Sequence, residues 1–390
     1  MRNEVTKTTT SLPLEGLVVL DMSQFLAGPS AALRLADLGA EVIKLERPDG
    51  GDISRKLYVS NLEIDGESTL FHAINRNKHS FAADLKSPDD LARVKALIAR
   101  VDVVIQNFRP GVIERLGLGY DTVSEINPKI IYASISGYGT TGPWRDKPGQ
   151  DLLVQSMSGL PWMSGNDDGA PVATGVAVAD MFTGAHLVQG VLAALVRRGM
   201  TGQGARIDVS LFESILDLQF EFLSTFLNGD GTGPRRSEIG SASAYLGAPY
   251  GIYPTADGFL SLAMNSLTKL GDLLELPELS EFDLPDRMFR DRDRIKSIIA
   301  ERLSHNSTAH WLSVLEPADI WCAEVMDWPT MVKQEGFQAL DMVQEVSTSS
   351  GATMRTTRCP IRFDGQILTS QKGAPRVGED TQDIFSNYGI

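Results

Sequence analysis

Leu17-to-Pro48 reads LVVLDMSQFLAGPSAALRLADLGAEVIKLERP, and this stretch decides the fold. Leu17-Val-Val-Leu20 is a short apolar run, broken by Ala27-Gly-Pro29; a run of this kind ending in turn residues reads as a buried strand. Residues 30–38 form an Ala/Leu-rich helix that stops at Gly39, a residue suited to the left-handed C-cap. Val42-Ile-Lys-Leu45 is a second strand, ended by Glu46-Arg47-Pro48. Strand, helix and strand in that order open a parallel α/β sheet. Glu46 lies about 20 residues beyond Gly28, where dinucleotide-binding sheets place a ribose-binding acid. The glycine fingerprint of those sheets is missing, because Pro29 follows Gly28 and no glycine comes three residues later. A nicotinamide cofactor is therefore poorly supported, while a nucleotide bound at the carboxyl end of these strands fits.

The same grammar continues downstream. Residues 82–85 read as a strand, 88–99 as a helix, and 101–105 as a strand that ends in Asn107-Phe-Arg-Pro-Gly111. A short helix over 112–116 and a strand over 130–135 follow. The chain then enters Ser136-Gly-Tyr-Gly139 and a loop to Gln150. The expected fold class is α/β, a Rossmann-like doubly wound parallel sheet whose binding loops share one edge. From 187 to about 227 the sequence is strongly helical, interrupted at Gly199-Met-Thr-Gly-Gln-Gly204. Asn228-Gly-Asp-Gly-Thr-Gly-Pro234 is a linker. A second unit opens near Tyr250-Gly-Ile-Tyr253, with a hairpin turn at Thr255-Ala-Asp-Gly258 and a return strand over 259–263. Helices follow to about 315, and Ile361-Arg-Phe363 has strand character.

The chain has 390 residues, 42% hydrophobic and 22% charged, values ordinary for a globular protein with a sizeable core. The first ten residues are polar, without the apolar core of a signal peptide. The most apolar helix, near 187–196, is shorter than the roughly 20 residues a bilayer needs, so no membrane partner is expected. Two cysteines, Cys322 and Cys359, form no zinc pattern or disulfide framework, which fits a reducing cytoplasm and no metal. The net charge of −14 disfavours nucleic acid. An anionic small ligand still fits if cations cluster locally, and Arg47, Arg55, Arg76, Lys78, Arg109, Arg115 and Lys147 all fall within the first 150 residues. Taken singly, each also reads as a solvated surface charge.

Asp180 is the candidate reactive group. It stands in Thr174-Gly-Val-Ala-Val-Ala-Asp-Met-Phe-Thr-Gly184, ahead of Leu187, Val188, Val191, Leu192, Leu195 and Val196 in helical period. A carboxylate at a helix start sits near the positive end of the dipole, which favours its ionised form. Local sequence allows two roles, a nucleophile toward an acyl carbon or a helix cap.

Several blocks in order carry a family resemblance. They are Leu14-Glu-Gly-Leu-Val-Val-Leu-Asp21, Ala27-Gly-Pro29, Leu38-Gly-Ala-Glu-Val-Ile-Lys-Leu-Glu-Arg-Pro48, Asn75-Arg-Asn-Lys-His-Ser80, Asn107-Phe-Arg-Pro-Gly111, Ser136-Gly-Tyr-Gly139, Thr201-Gly-Gln-Gly204 and Ala374-Pro-Arg-Val-Gly378. Almost end to end, the chain resembles the family III coenzyme A transferases. The resemblance implies that Asp180 is the catalytic aspartate. It also implies that Arg47 pairs with the adenosine phosphates of coenzyme A, that Arg115 and Lys147 make further phosphate and pantetheine contacts, and that Asn107 and Phe108 line the same groove. Phe25, Leu26 and Ala27 would approach the pantetheine through their backbone, and Lys78 would be either a further contact or a structural ion pair. The implied architecture is an interlocked, ring-like homodimer. Each chain would have a large domain at 1–227 and 330–390 and a small α+β domain at 228–329, with Asn228 to Pro234 as a domain connection.

The resemblance also implies the reaction. Acyl-CoA and a small carboxylic acid are substrates, no cofactor is permanently bound, and CoA moves through an aspartyl anhydride and an aspartyl–CoA thioester. Backbone N–H groups at the helix start would stabilise the oxyanions, and closure of the small domain would exclude water. Related racemases use a His–Asp pair, but Gln150 precedes Asp151 here, and an amide cannot take a proton at pH 7. Gln150 would instead orient an acyl oxygen or satisfy backbone groups. Formyl-CoA transferases carry a glycine run in the small domain and a glutamine where Leu26 stands. Here residues 240–251 have scattered glycines only, so oxalate is not favoured over other acceptors. A racemase of the same fold and a non-catalytic CoA-binding protein are the alternatives.

Overall fold

The computed structural model describes residues 12–57 and 62–390, so the polar N-terminal stretch lies outside the described residues. Along the chain come β1 (Val18–Asp21), α1 (Ala27–Asp37), β2 (Glu41–Glu46), β3 (His79–Ala82), α2 (Pro88–Ile98), β4 (Val103–Gln106), α3 (Val112–Arg115) and β5 (Ile131–Ser136). After these come α4 (Asp151–Ser158), α5 (Val178–Thr201) and β6 (Ala205–Ser210). The six strands form one sheet in the order β3-β2-β1-β4-β5-β6, and every pairing in it is parallel. This is the order of doubly wound nucleotide-binding sheets, and it reverses direction between β1 and β4. One core covers a face of the sheet with Leu20, Ile43, Phe81, Val104 and Tyr132 against Val94, Leu97 and Ile98 of α2. On α5, the buried residues Leu187, Val191 and Ala194 belong to a helix that packs on α1, β5 and β6.

Three elements differ from their sequence reading. The third strand runs over His79–Ala82 rather than 82–85, because Ser80 and Phe81, not the polar Asp84, are the buried positions. The strand β6 falls within the segment read as helical. Its buried ends and half-exposed middle, Ala-Arg-Ile-Asp-Val-Ser, match an edge strand with alternating faces. Helix α5 begins before Asp180 and runs for 24 residues. Its length and composition alone would suit a membrane crossing, but it lies against α1, β5 and β6 instead.

The chain divides into two compact units, one with the described residues up to Val154, Ala177–Ile215 and Leu340–Ile390, the other with Gln155–Val176 and Leu216–Ala339. Boundaries expected at 228 and 330 thus fall inside the second unit, and the glycine-rich linker is internal to it. That unit includes α7 (Phe220–Leu227), which follows α6 (Leu211–Leu218). Its own antiparallel sheet comprises β7 (Gly251–Pro254), β8 (Phe259–Leu262) and β9 (Cys322–Glu324) in the order β9-β8-β7. Helices α8 (Leu267–Leu274), α9 (Arg292–Leu303) and α10 (Thr308–Leu315) complete a core of Leu260, Leu270, Ile295, Ile299 and Trp311. The region that replaces the glycine run is pinned from α9. Arg292 donates to Ala244 O at 3.1 Å, and Lys296 Nζ to Ser237 Oγ at 2.9 Å and Gly240 O at 3.1 Å.

Candidate active site

In a sheet of this order, ligands bind outside the carboxyl ends of the strands at the reversal point, here the loops after β1 and β4. Asn107 ties those two loops together. Gln24 N donates to its Oδ1 at 2.9 Å, and its Nδ2 donates to Gln24 O at 2.7 Å. The loop it holds is tight. A Cβ at Gly28 would lie 2.3 Å from Ser23, so only glycine lets α1 start this close to β1. Phe25 sits at φ 66, a left-handed conformation uncommon for a bulky residue, and is 50% exposed. Such backbone strain is often concentrated at functional loops. Leu26 is the N-cap of α1, and Ala27 is buried behind it. Phe108 packs on the edge of the sheet core, and its N–H donates to Gln106 Oε1 at 2.9 Å.

Burial sorts the cations. Arg47, at the end of β2, and Arg109, Arg115 and Lys147, in segments following β4 and β5, are exposed. Arg55, Arg76 and Lys78 are buried. Arg55 pairs with Glu46 at 2.6 Å and Glu67 at 2.7 Å, Arg76 with Asp37 at 2.6 Å, and Lys78 with Asp21 at 2.9 Å. Lys78 also donates to Pro29 O and Asn75 Oδ1, both at 2.9 Å. This corrects the ligand-contact reading of Lys78: its ammonium is enclosed by three protein acceptors. Burial alone would raise the Asp21 carboxyl, but Lys78 and Lys44 outweigh it and hold the group below its usual range. Glu46 is likewise structural rather than ribose-binding, since its carboxylate is buried and bonded to Arg55, Ser80 Oγ and Asp52 N. Sequence reasoning missed Arg145. Arg115 and Arg145 both reach back over Gly111, with guanidinium nitrogens 3.1 and 3.7 Å from the position a Cβ would take there.

Asp180 lies in the first turn of α5. The loop from β5 into α4 is fixed where Gly137 and Gly149 touch; a Cβ on either would fall within 2.6 Å of the other's Cα. This contact sets Gln150 and Asp151 at the end of β5. Gln150 is exposed, and its carbonyl accepts from Val154 N at 3.0 Å. Asp151 Oδ1 accepts from Ala179 N at 2.8 Å and from Asp180 N at 3.2 Å. Asp151, not Asp180, therefore caps α5. Four residues on, a Cβ at Gly184 would lie 2.6 Å from Ser30 Oγ and 2.9 Å from Ala27 O. Residues i and i+4 share a helix face, so Asp180 is directed toward the first turn of α1.

The Asp180 carboxyl is pushed up to about 7, first by burial and second by the charge of Asp151. The expectation that the helix dipole keeps it ionised is thus overturned: desolvation and a like charge outweigh the partial charge of the helix end. The helix-start N–H groups expected to hold oxyanions are also partly committed, since Asp151 occupies those of Ala179 and Asp180.

The candidate site therefore has a half-buried carboxyl on the face of α5 that meets the first turn of α1, at the sheet's reversal point, with exposed cations on the segments after neighbouring strands. Residues 14–381 match the model of CoA-transferase family III. The chain belongs to CoA-transferase family III. It is 34% identical to the succinate–glutarate CoA-transferase of Agrobacterium fabrum, over 96% of this chain and 95% of that one. It is 33% identical to the acetyl-CoA:oxalate CoA-transferase of Acetobacter aceti, over 96% of each. The crystal structure of a CAIB/BAIF family protein from Brucella suis superposes with a TM-score of 0.84 at 30% identity, covering 97% of this chain and 100% of that one. Arg47, Arg115 and Lys147 remain exposed cations on an otherwise acidic chain.

Proposed function

We propose that this enzyme moves coenzyme A from an acyl-CoA donor to a carboxylic acid acceptor, with Asp180 as the nucleophile. The observation that carries this reading is a half-buried carboxyl, raised by burial, on the face of α5 that meets the first turn of α1 at the sheet's reversal point. An Asp180 oxygen attacks the thioester carbonyl, the C–S bond breaks, and CoA thiolate leaves behind an aspartyl–acyl anhydride. The thiolate then attacks the Asp180 carbonyl of that anhydride, releasing the donor acid and forming an Asp180–CoA thioester. An acceptor carboxylate repeats the exchange in reverse and regenerates Asp180. Each step conserves an activated acyl bond, so no external energy source enters.

Arg47, Arg115 and Lys147, joined by Arg145, would grip the phosphates, while Phe25, Leu26, Ala27, Asn107 and Phe108 shape the pantetheine path. Gln150 would orient an acyl oxygen. The acids handled by the succinate–glutarate and oxalate relatives favour a short dicarboxylic acid as acceptor. We place the enzyme in the cytoplasm as an interlocked homodimer. Supporting the dimer is α7, Phe-Glu-Phe-Leu-Ser-Thr-Phe-Leu, which has no buried residue within its own chain. Apolar surface of this kind marks interaction sites.

Asp180→Ala is expected to lower transfer by at least about 10³-fold while CoA still binds. Hydroxylamine added with acyl-CoA should yield a hydroxamate at Asp180, located by mass spectrometry. Near-normal turnover in Asp180→Ala, or no adduct in the wild type, would refute the role. Deuterium uptake at C2 of the acyl group without an acceptor acid would instead support the racemase reading.

A further inference from the structure

The polar group that touches the reactive aspartate's backbone is Asp151, a residue that the proposed reaction leaves unused. We propose that Asp151 is a positioning residue for the transfer: by holding the Ala179 and Asp180 amide hydrogens on its Oδ1, it keeps the Asp180 carboxylate clear of its own helix's donors and free to attack. The inference rests on the reading of Asp180 as nucleophile.

Aspartate near a helix start ordinarily bonds the nearest backbone N–H groups. Those bonds favour the charged carboxylate and lower its basicity. In α5 the nearest donors are already taken, at 2.8 and 3.2 Å, by Asp151. Among the described residues no donor bonds the Asp180 carboxylate, and its carboxyl rises to about 7 under burial and the Asp151 charge. The elements that meet α5 include α1, β5 and β6, with titratable groups Arg34, Asp37, Tyr132, Arg206 and Asp208. Helix α4 meets it through Asp151, and α6, which carries Glu213 and Asp217, through Ser214 on His186; α5 itself carries His186, Arg197 and Arg198. Among the described residues, Asp151 is the charged group that acts on Asp180. Asp151 itself is fixed from two directions, by α5's amides and by the Gly137–Gly149 contact just before it. The carboxylate thus helps to set the orientation and basicity of a second carboxylate that it need not exchange protons with.

The test measures single-turnover acylation of Asp180, by hydroxamate trapping from pH 5 to 9, in full-length wild type, Asp151→Ala and Asp151→Asn, alongside free-CoA affinity. Asp151→Ala releases both amides; acylation at pH 8 should slow about tenfold or more while CoA affinity stays within about twofold. Asp151→Asn keeps an acceptor and removes the charge; its acid limb should move down by about half a pH unit or more, and it should acylate faster than Asp151→Ala. Wild-type acylation in Asp151→Ala, or an unmoved acid limb in Asp151→Asn, would overturn the proposal. Should Asp151→Ala fail to fold, the acid limb of Asp151→Asn decides alone. No adduct in the wild type would remove the nucleophile reading itself, a result distinguishable from any failure at Asp151.

Discussion

The ionisation of Asp180 links activity to stability. A carboxylic acid pushed up to about 7 holds its proton more tightly in the folded chain than in the unfolded one, where its pKa is about 3.9. Between those values the folded state binds more protons, so this group's contribution to stability falls as pH rises through that window. Acylation needs the carboxylate and moves in the opposite sense, gaining as pH passes about 7. Asp180→Asn removes the titration. Thermal unfolding should show it more stable than wild type at pH 8 by roughly 1–3 °C, with the gain gone near pH 4; an equal difference at both pH values would contradict the assignment. The sequence marked Asp180 as reactive or capping but could not choose, because the true cap, Asp151, is 29 positions away.

At the scale of elements, the parallel sheet separates two kinds of basic residue. Lys78, just before β3, closes a buried pair with Asp21 at the end of β1. Arg115, at the end of α3, remains exposed. Lys78→Met would leave Asp21 with a lost partner, and urea unfolding should report a loss of about 3–5 kcal/mol. Arg115→Ala should change stability by no more than about 0.5 kcal/mol while raising KM for acyl-CoA about tenfold, an effect read from steady-state kinetics. The reverse pattern would exchange their roles. The sequence listed these cations together because spacing does not encode burial. It also read β6 as helix, although Ile207 and Val209 alternate with Arg206 and Asp208; the surrounding apolar helices masked a short two-residue period.

Across the whole molecule, the proposed dimer rests on large apolar side chains that α7 leaves exposed. Phe220 is 66% and Leu227 69% exposed at the two ends of α7. Multi-angle light scattering should find twice the chain mass in micromolar wild-type solutions. The double substitution Phe220→Asp and Leu227→Asp should shift it to monomer or aggregate, with loss of transfer; a monomeric, active wild type would end the dimer proposal. Folding of an interlocked dimer would not be separable from its assembly.

The sequence by itself determined the α/β alternation and marked the loops at the strand ends and Asp180 as candidates, because periodicity and turn residues are written locally. Tertiary structure decided which cations remain free, which carboxylate caps α5, and where Asp180 titrates. Those outcomes depend on burial and on partners distant in the chain, and desolvation with a nearby like charge overrides what any local stretch can encode.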